Sequence, residues 1–164
     1  MLDTAQLPVA FWGAIKAGVV PIPINTLLPP ETWRYMIEDS RAAAVVISDE
    51  LYDRAAHVLE EIQQRRHLHV IIDDRPGDQK LISLSALTAN SAPQASAVDT
   101  HADDVAFWLY SSGSTGNPKG TAHVHTSPMA TAKLFGQGIL DMNESDVVFS
   151  AAKLFFAYGL GNGM

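Results

Sequence analysis

The chain contains no cysteine, which excludes disulfides, thiolate catalysis and Cys-ligated zinc or iron–sulfur centres and agrees with a reducing compartment. Positive charge is scarce: eleven Lys and Arg stand against eighteen Asp and Glu, a formal charge of −7. The basic stripe that neutralises nucleic-acid phosphates is therefore missing, and no nucleic-acid partner is expected. Long apolar runs are missing as well. The longest, Val19 to Ile24 and Val105 to Tyr110, fall far short of the about 20 residues that cross a bilayer, so no membrane partner is expected. A secretory leader would open with basic residues, whereas Asp3 comes first and Lys16 is the first positive charge. The expectation is a soluble, cytoplasmic protein.

What is present suffices for a core. The 164 residues are 47% apolar and only 18% charged, the size of one domain. An apolar helix is expected from Thr4, its N-cap, through Val9, Phe11, Trp12 and Ile15 to a stop at Gly18. Val19 to Ile24 reads as a strand made irregular by Pro21 and Pro23. A helix led by Pro29, Pro30 and Glu31 then places Trp33, Met36 and Ile37 on one face. Ala43 to Ser48 reads as a strand, Leu51 to Arg66 as a helix and Val70 to Ile72 as another strand. This alternation predicts a layered α/β fold with a mainly parallel sheet and flanking helices.

Residues 88–104 are rich in Ala, Ser and Pro and read as a linker between an α/β unit at 1–87 and a second unit at 105–164. In that second unit a strand–loop–strand hairpin is expected, with strands at Val105 to Tyr110 and Thr121 to His125. A helix from Ser127, with Pro128 at its first position, should run to Leu140, and Val147 to Ala151 should form a last strand. Both ends read as the interior of a longer chain, because Leu154, Phe155, Phe156, Tyr158 and Leu160 crowd a terminus that has no polar tail. A terminal strand tucked into its own core is the other reading.

The segment Tyr110-Ser-Ser-Gly-Ser-Thr-Gly-Asn-Pro-Lys-Gly120 is built to hold an anion. Glycines let backbone N–H groups approach phosphate oxygens, hydroxyls donate further hydrogen bonds, and an ammonium adds a mobile charge. A Walker A loop needs Gly-Lys-Ser/Thr, whereas Pro118 and Gly120 flank Lys119 here. A flexible linker or a plain hairpin turn is the alternative for any Ser/Gly cluster. Two other features invite attention. His123 and His125 share a face if their segment is a strand, although no third ligand accompanies them and a packed strand histidine is the better reading. Asp103 and Asp104 are adjacent and would point apart, as in a solvated loop.

The whole string from Ser111 to Gly120 resembles the phosphate-binding signature of the adenylate-forming superfamily, which includes acyl-CoA synthetases, luciferases and nonribosomal adenylation enzymes. The family pattern is Ser/Thr-Ser-Gly-Ser/Thr-Thr-Gly-x-Pro-Lys-Gly, and every position fits. The likeness extends upstream, through Phe11-Trp-Gly-Ala-Ile-Lys-Ala-Gly-Val-Val-Pro-Ile-Pro-Ile-Asn25 and Ile37-Glu-Asp-Ser-Arg-Ala42. Phe107-Trp-Leu-Tyr-Ser-Ser-Gly-Ser-Thr-Gly116 and Phe149-Ser-Ala-Ala-Lys-Leu-Phe-Phe-Ala-Tyr-Gly-Leu-Gly-Asn162 are similar to the benzoate-CoA ligase branch.

The resemblance implies part of an acyl-CoA synthetase N-terminal domain and a two-step reaction. A carboxylate attacks the α-phosphate of Mg2+-bound ATP to give acyl-adenylate and pyrophosphate; the thiol of coenzyme A then displaces AMP. It implies that Ser111, Ser112, Gly113, Ser114, Thr115, Gly116 and Lys119 hold the β- and γ-phosphates, with Lys119 a charge clamp and not a nucleophile. It also implies that Phe156, Ala157 and Tyr158 line a pocket for an aromatic carboxylate, although a core aromatic cluster fits the composition equally. No residue of the chain is assigned a catalytic role and no protein-held metal is expected. The family's ribose-binding aspartate, hinge and lysine-bearing C-terminal domain have no counterpart in residues 1–164, so a fragment inactive alone is the expectation. A non-catalytic nucleotide-binding module and an unstable gene fragment are the alternatives.

Overall fold

A computed structural model describes residues 1–73, 81–93, 96–112 and 116–163. In chain order these form α1 (Gln6–Lys16), α2 (Pro30–Asp39), β1 (Ala44–Ser48), α3 (Asp49–Arg65), β2 (His69–Asp73), β3 (Ile82–Ser83) and α4 (Leu84–Asn90). There follow β4 (Val105–Ser111), β5 (Lys119–Val124), α5 (Thr126–Thr131), a π-helix (Ala132–Gln137) and α6 (Ala157–Gly163). They fall into two units. The first holds the described residues within Met1–Thr4, Thr26–Ala95 and Ser112–Pro118; the second holds those within Ala5–Asn25, Ser96–Ser111 and Lys119–Met164. No helix among the described residues is long and apolar enough to cross a membrane.

The first unit is a three-stranded parallel sheet in the order β1-β2-β3 with α2 and α3 packed together beside it. β1 and β2 pair from Ala44↔His69 to Ser48↔Asp73, and Ile71 pairs with Ile82. Runs of β-branched residues suit such strands, whose side chains fit a pleated, buried surface. The helical period of α3 buries Leu51, Ala55, Val58, Leu59 and Ile62, and α2 contributes Trp33, Met36 and Ile37. Val58, Leu59, Ile62 and Ile72 are at most 2% exposed, and each such side chain contributes about 1.5–3 kcal/mol by leaving water.

Polar contacts fix the ends of these elements. Helix α2 stops in a Schellman turn: Ala42 N–H donates to Ile37 O (3.2 Å), Arg41 N–H to Glu38 O (3.1 Å), and Arg41 takes φ +52°. The Arg66 guanidinium donates to Ala42 O (2.6 Å) and Ile37 O (3.1 Å), tying the end of α3 to the same turn. On the outer face Arg34 reaches Glu31 (2.9 Å) and Glu61 (2.7 Å). Hydrogen bonds from Arg34 hold both carboxyls below the usual carboxylate range.

The second unit centres on the antiparallel hairpin β4–β5, which pairs from Val105↔Val124 to Ser111↔Lys119 with an irregularity between Val105 and Phe107. Phe11 of α1, Ala106, Phe107 and Leu109 of β4, and Leu160 of α6 form its core, with Ile15 packed against them. The rings of Phe11 and Phe107 meet edge to face at 5.4 Å. Gly18 follows α1 at φ +73°, where a side chain would be strained and would also meet Val98 Cγ2 at 2.9 Å.

The layered α/β architecture with a parallel sheet, followed by a strand–loop–strand hairpin, matches the sequence expectation; several individual elements do not. Residues 19–24 form no strand. Pro21 and Pro23 have no N–H to donate, and one carbonyl, Pro21 O, accepts from Trp108 N–H at 3.1 Å. Residues 147–151 are likewise not a strand, and Val147 and Phe149 stand 97% and 89% exposed with no ladder partner among the described residues. The helix expected from Ser127 begins at Thr126 with His125 at its cap and passes into the π-helix at Ala132. At α1 the cap is Ala5, not Thr4, and it makes no side-chain bond. Two helices were not expected, α4 and α6. Helix α4 is capped by Ser83, whose Oγ accepts from Ala86 N–H (3.2 Å).

Candidate functional site

The loop that closes the β4–β5 hairpin begins after Ser111 and ends before Lys119, and those two residues are its last cross-strand pair. Alternation along β4 puts Phe107, Leu109 and Ser111 on one face. Phe107 and Leu109 are buried in the core of the second unit, while Ser111 lies past the edge of that core and is exposed. Directly opposed residues of an antiparallel pair share a face, so Lys119 emerges on the same side as Ser111. A serine and a lysine thus share one face at the open end of the two-stranded ladder. Among the described residues no ion pair engages Lys119.

Backbone form in the loop follows from composition. Gly116 takes φ +129°, a conformation that side-chain-bearing residues rarely adopt, and it is exposed. Pro118 precedes β5, where its missing N–H costs the ladder nothing. Gly120 pairs with Tyr110; a Cβ there would lie 3.2 Å from the Trp108 ring and 3.3 Å from that of Tyr110. The glycine lets both rings close over the strand. Ser112 is exposed. Gly113, Ser114 and Thr115, also expected to bind phosphate, lie outside the described residues. Within the second unit the end of the hairpin presents a serine hydroxyl and a lysine ammonium, both donors, which is chemistry for an oxyanion, while Ser112 and Gly116 fall in the first unit.

Ala157 and Tyr158 open α6, and Phe156 immediately precedes it. Three glycines make Ala157–Gly163 a poor helix by propensity, and packing overrides that. Leu160 is drawn into the cluster with Phe107 and Leu109, and Leu160 N–H bonds Phe156 O at 2.8 Å. Gly159 is buried so closely that a Cβ would collide with the Lys153 carbonyl. With Gly159 and Leu160 inward, Ala157 and Tyr158 face out, Tyr158 at 71% exposure. Phe156 is 46% exposed and its ring lies 4.6 Å from that of the buried Phe155. The strand that ends in Ser111 therefore carries the helix that begins with Ala157.

The remaining candidates resolve into structural roles. His123 pairs with Phe107 across the hairpin and stacks on its ring at 4.7 Å with planes 3° apart. His125 lies beyond the end of β5 and donates its N–H to Asp104 O (3.2 Å). Asp104 Oδ2 accepts from His101 N–H (2.8 Å), a loop-closing bond. Another His-x-His triplet, His67-Leu68-His69, is not among the sequence candidates although its spacing is the same; here the imidazoles do meet, Nε2 to Nε2 at 2.9 Å.

The model of the AMP-binding enzyme family matches residues 1–164. A benzoate–CoA ligase of Thauera aromatica is 50% identical over 164 residues, 100% of this chain and 30% of its own. A 4-hydroxybenzoate–CoA/benzoate–CoA ligase of Rhodopseudomonas palustris is 47% identical over 163 residues, 99% of this chain and 29% of its own. Among solved structures, a benzoate CoA ligase from Burkholderia xenovorans superposes with a TM-score of 0.87 at 46% identity, covering 100% of this chain and 31% of that one. An anthranilate CoA ligase in complex with anthranoyl-AMP gives 0.90 at 32% identity, covering 99% and 31%. The chain thus spans about 30% of the length of the curated relatives it matches.

Proposed function

Because the chain belongs to the family of AMP-binding enzymes, we propose that it supplies the phosphate-binding loop and part of the acyl pocket of an ATP-dependent aromatic acid:CoA ligase. The observation that carries this reading is the 50% identity to a benzoate–CoA ligase, sustained over every one of the 164 residues. In the proposed reaction a benzoate-like carboxylate oxygen attacks the α-phosphorus of ATP, the bond to the β-phosphate oxygen breaks, and pyrophosphate leaves. The thiol of coenzyme A then attacks the acyl carbon and AMP departs. The anthranoyl-AMP held by one structural relative is an intermediate of that kind.

Within this scheme Ser111, Ser112, Gly113, Ser114, Thr115, Gly116 and Lys119 receive the β- and γ-phosphates, and their donors are worth most when charge accumulates on the departing pyrophosphate. The Ser111–Lys119 pair fits that role because the ladder fixes both ends of the loop before nucleotide arrives. Phe156, Ala157 and Tyr158 face the ring of the acid, where the small Ala157 leaves it space. Mg2+ fits as a companion of the nucleotide. Among the described residues no group of three His, Cys, Asp or Glu could hold it, and this ion is ordinarily bound through substrate phosphates, whose charge it neutralises.

The experiment is a graft: residues 1–164 replace the matching segment of the Thauera aromatica benzoate–CoA ligase. Retained benzoyl-CoA formation is expected. A folded graft that binds ATP yet activates no aromatic acid would favour a nucleotide-binding module without turnover. The 164-residue polypeptide by itself is expected to release no AMP from benzoate, ATP and coenzyme A.

A further inference from the structure

We propose that His67 and His69 form a two-imidazole chelate for a divalent transition ion of square-planar or tetragonal preference, Cu2+ foremost. The site lies in the first unit and is independent of the reading given to the phosphate loop.

The local chain dictates the pairing. Arg66 leaves α3 in an extended conformation, and two residues later His69 opens β2. Alternate side chains of an extended segment share a face. Leu68, 3% exposed, points into the core, which turns both imidazoles outward. The segment is also held: Gln63 Nε2 donates to Leu68 O (3.0 Å), and the Arg66 guanidinium donates to Ala42 O (2.6 Å), Ile37 O (3.1 Å) and His67 O (3.3 Å). That cation is thereby committed to carbonyls, and Glu60, His67 and His69 all line one cleft of about 460 Å³.

The two imidazoles share a hydrogen bond through the same nitrogens that a metal ion would take, so an ion would replace the shared proton. The Nε2 atoms are 2.9 Å apart, the ring centroids 4.3 Å apart and the planes 89° apart. Two rings aimed at one ion from about 2.05 Å and at a right angle place their nitrogens about 2.9 Å and their centroids about 4.5 Å apart. A tetrahedral angle at the ion would require the nitrogens about 3.35 Å apart. A right angle suits tetragonal Cu2+ and Ni2+, and the general order of affinities puts Cu2+ above Ni2+ and Zn2+. No third His, Cys, Asp or Glu joins the pair among the described residues, so water completes the shell and the ion remains exchangeable. The chain has no cysteine to compete for copper.

The test is titration of the untagged, metal-free chain with Cu2+, Ni2+ and Zn2+, read by the visible absorption and the nitrogen hyperfine structure of bound Cu2+. One Cu2+ per chain is expected, bound more tightly than Zn2+ and carrying two imidazole nitrogens. His67→Gln and His69→Gln should each weaken Cu2+ binding by about tenfold or more. Both side chains are exposed, and an unchanged circular dichroism spectrum checks that each variant folds. The double variant His123→Gln/His125→Gln should bind as the parent does. Undiminished Cu2+ binding in His67→Gln/His69→Gln would overturn the site, as would loss of binding in the His123/His125 variant. Tighter binding of Zn2+ than of Cu2+ would overturn the right-angle geometry.

Discussion

Two stretches of similar apolar content meet opposite fates. In α3 and β2, Val58, Ile62 and Ile72 are at most 1% exposed. Between residues 134 and 149, Leu134 and Ile139 are 72% and 71% exposed and Val147 and Phe149 stand almost wholly in solvent. The first stretch has its partners within the unit: α2, β1 and the sheet complete a layer over each apolar face. The second lacks cover among the described residues, and regular structure weakens with it, as the π-helix at Ala132–Gln137 and the strandless run through Val147 show. Burial therefore concentrates in the first unit, while the β4–β5 ladder, with Ser111 and Lys119 at its end, and α6 belong to the second. Apolar periodicity reports a face that needs covering; it does not report what covers it.

The largest expected effect breaks this comparison directly. Ile62→Ala should cost about 2–5 kcal/mol, because a fully packed site closes poorly over a cavity. Val147→Ala should stay within about 0.5 kcal/mol, because that side chain is already in water. Urea unfolding of both variants measures the contrast; equal losses would mean that residues 134–149 are covered in solution.

Next comes the outward face of α6. In the grafted ligase, Ala157→Phe should lower kcat/KM for benzoate by about 10- to 100-fold, since a filled ring site loses about 1–3 kcal/mol of transition-state binding. A small aliphatic acid should lose less. Specificity constants for both acids provide the check, and an unchanged ratio would return Phe156, Ala157 and Tyr158 to a packing role.

The smallest effect is electrostatic. Arg34 depresses the carboxyls of Glu31 and Glu61, so the unfolded chain binds their protons more readily. That contribution is present above the unfolded carboxylate pKa, about 4.3, and is lost as pH falls through the lower folded values. Both carboxylates are well exposed, which keeps the contribution small. Thermal midpoints measured from pH 6 downward should decline less steeply in Glu31→Gln/Glu61→Gln than in the parent.

How much of this was legible depended on the kind of signal. The runs Val45-Val-Ile47 and Val70-Ile-Ile72 announced parallel strands because buried strands need nothing beyond apolar, β-branched side chains. The hairpin that presents the string from Ser111 to Gly120 was legible from the apolar strands on either side. Helix α6 was not, because Gly159, Gly161 and Gly163 argue against a helix and only the packing of Leu160 selects one. Val147 to Ala151 has strand composition, but a strand exists only with a partner. The meeting of His67 and His69 depended on the inward turn of Leu68, whereas the identical spacing at His123 and His125 is spent on a ring stack and a helix cap.

The central claim is that the hairpin end serves departing pyrophosphate, and Lys119→Ala in the grafted ligase tests it most directly. Removing a charge-assisted bond made mainly in the transition state costs about 1.5–3 kcal/mol, or roughly 10- to 100-fold in rate. Benzoate-dependent exchange of pyrophosphate into ATP should fall by that factor, while formation of benzoyl-CoA from supplied benzoyl-adenylate should stay near the parent rate. Equal losses in the two half-reactions would contradict the assignment of Lys119 to the phosphates.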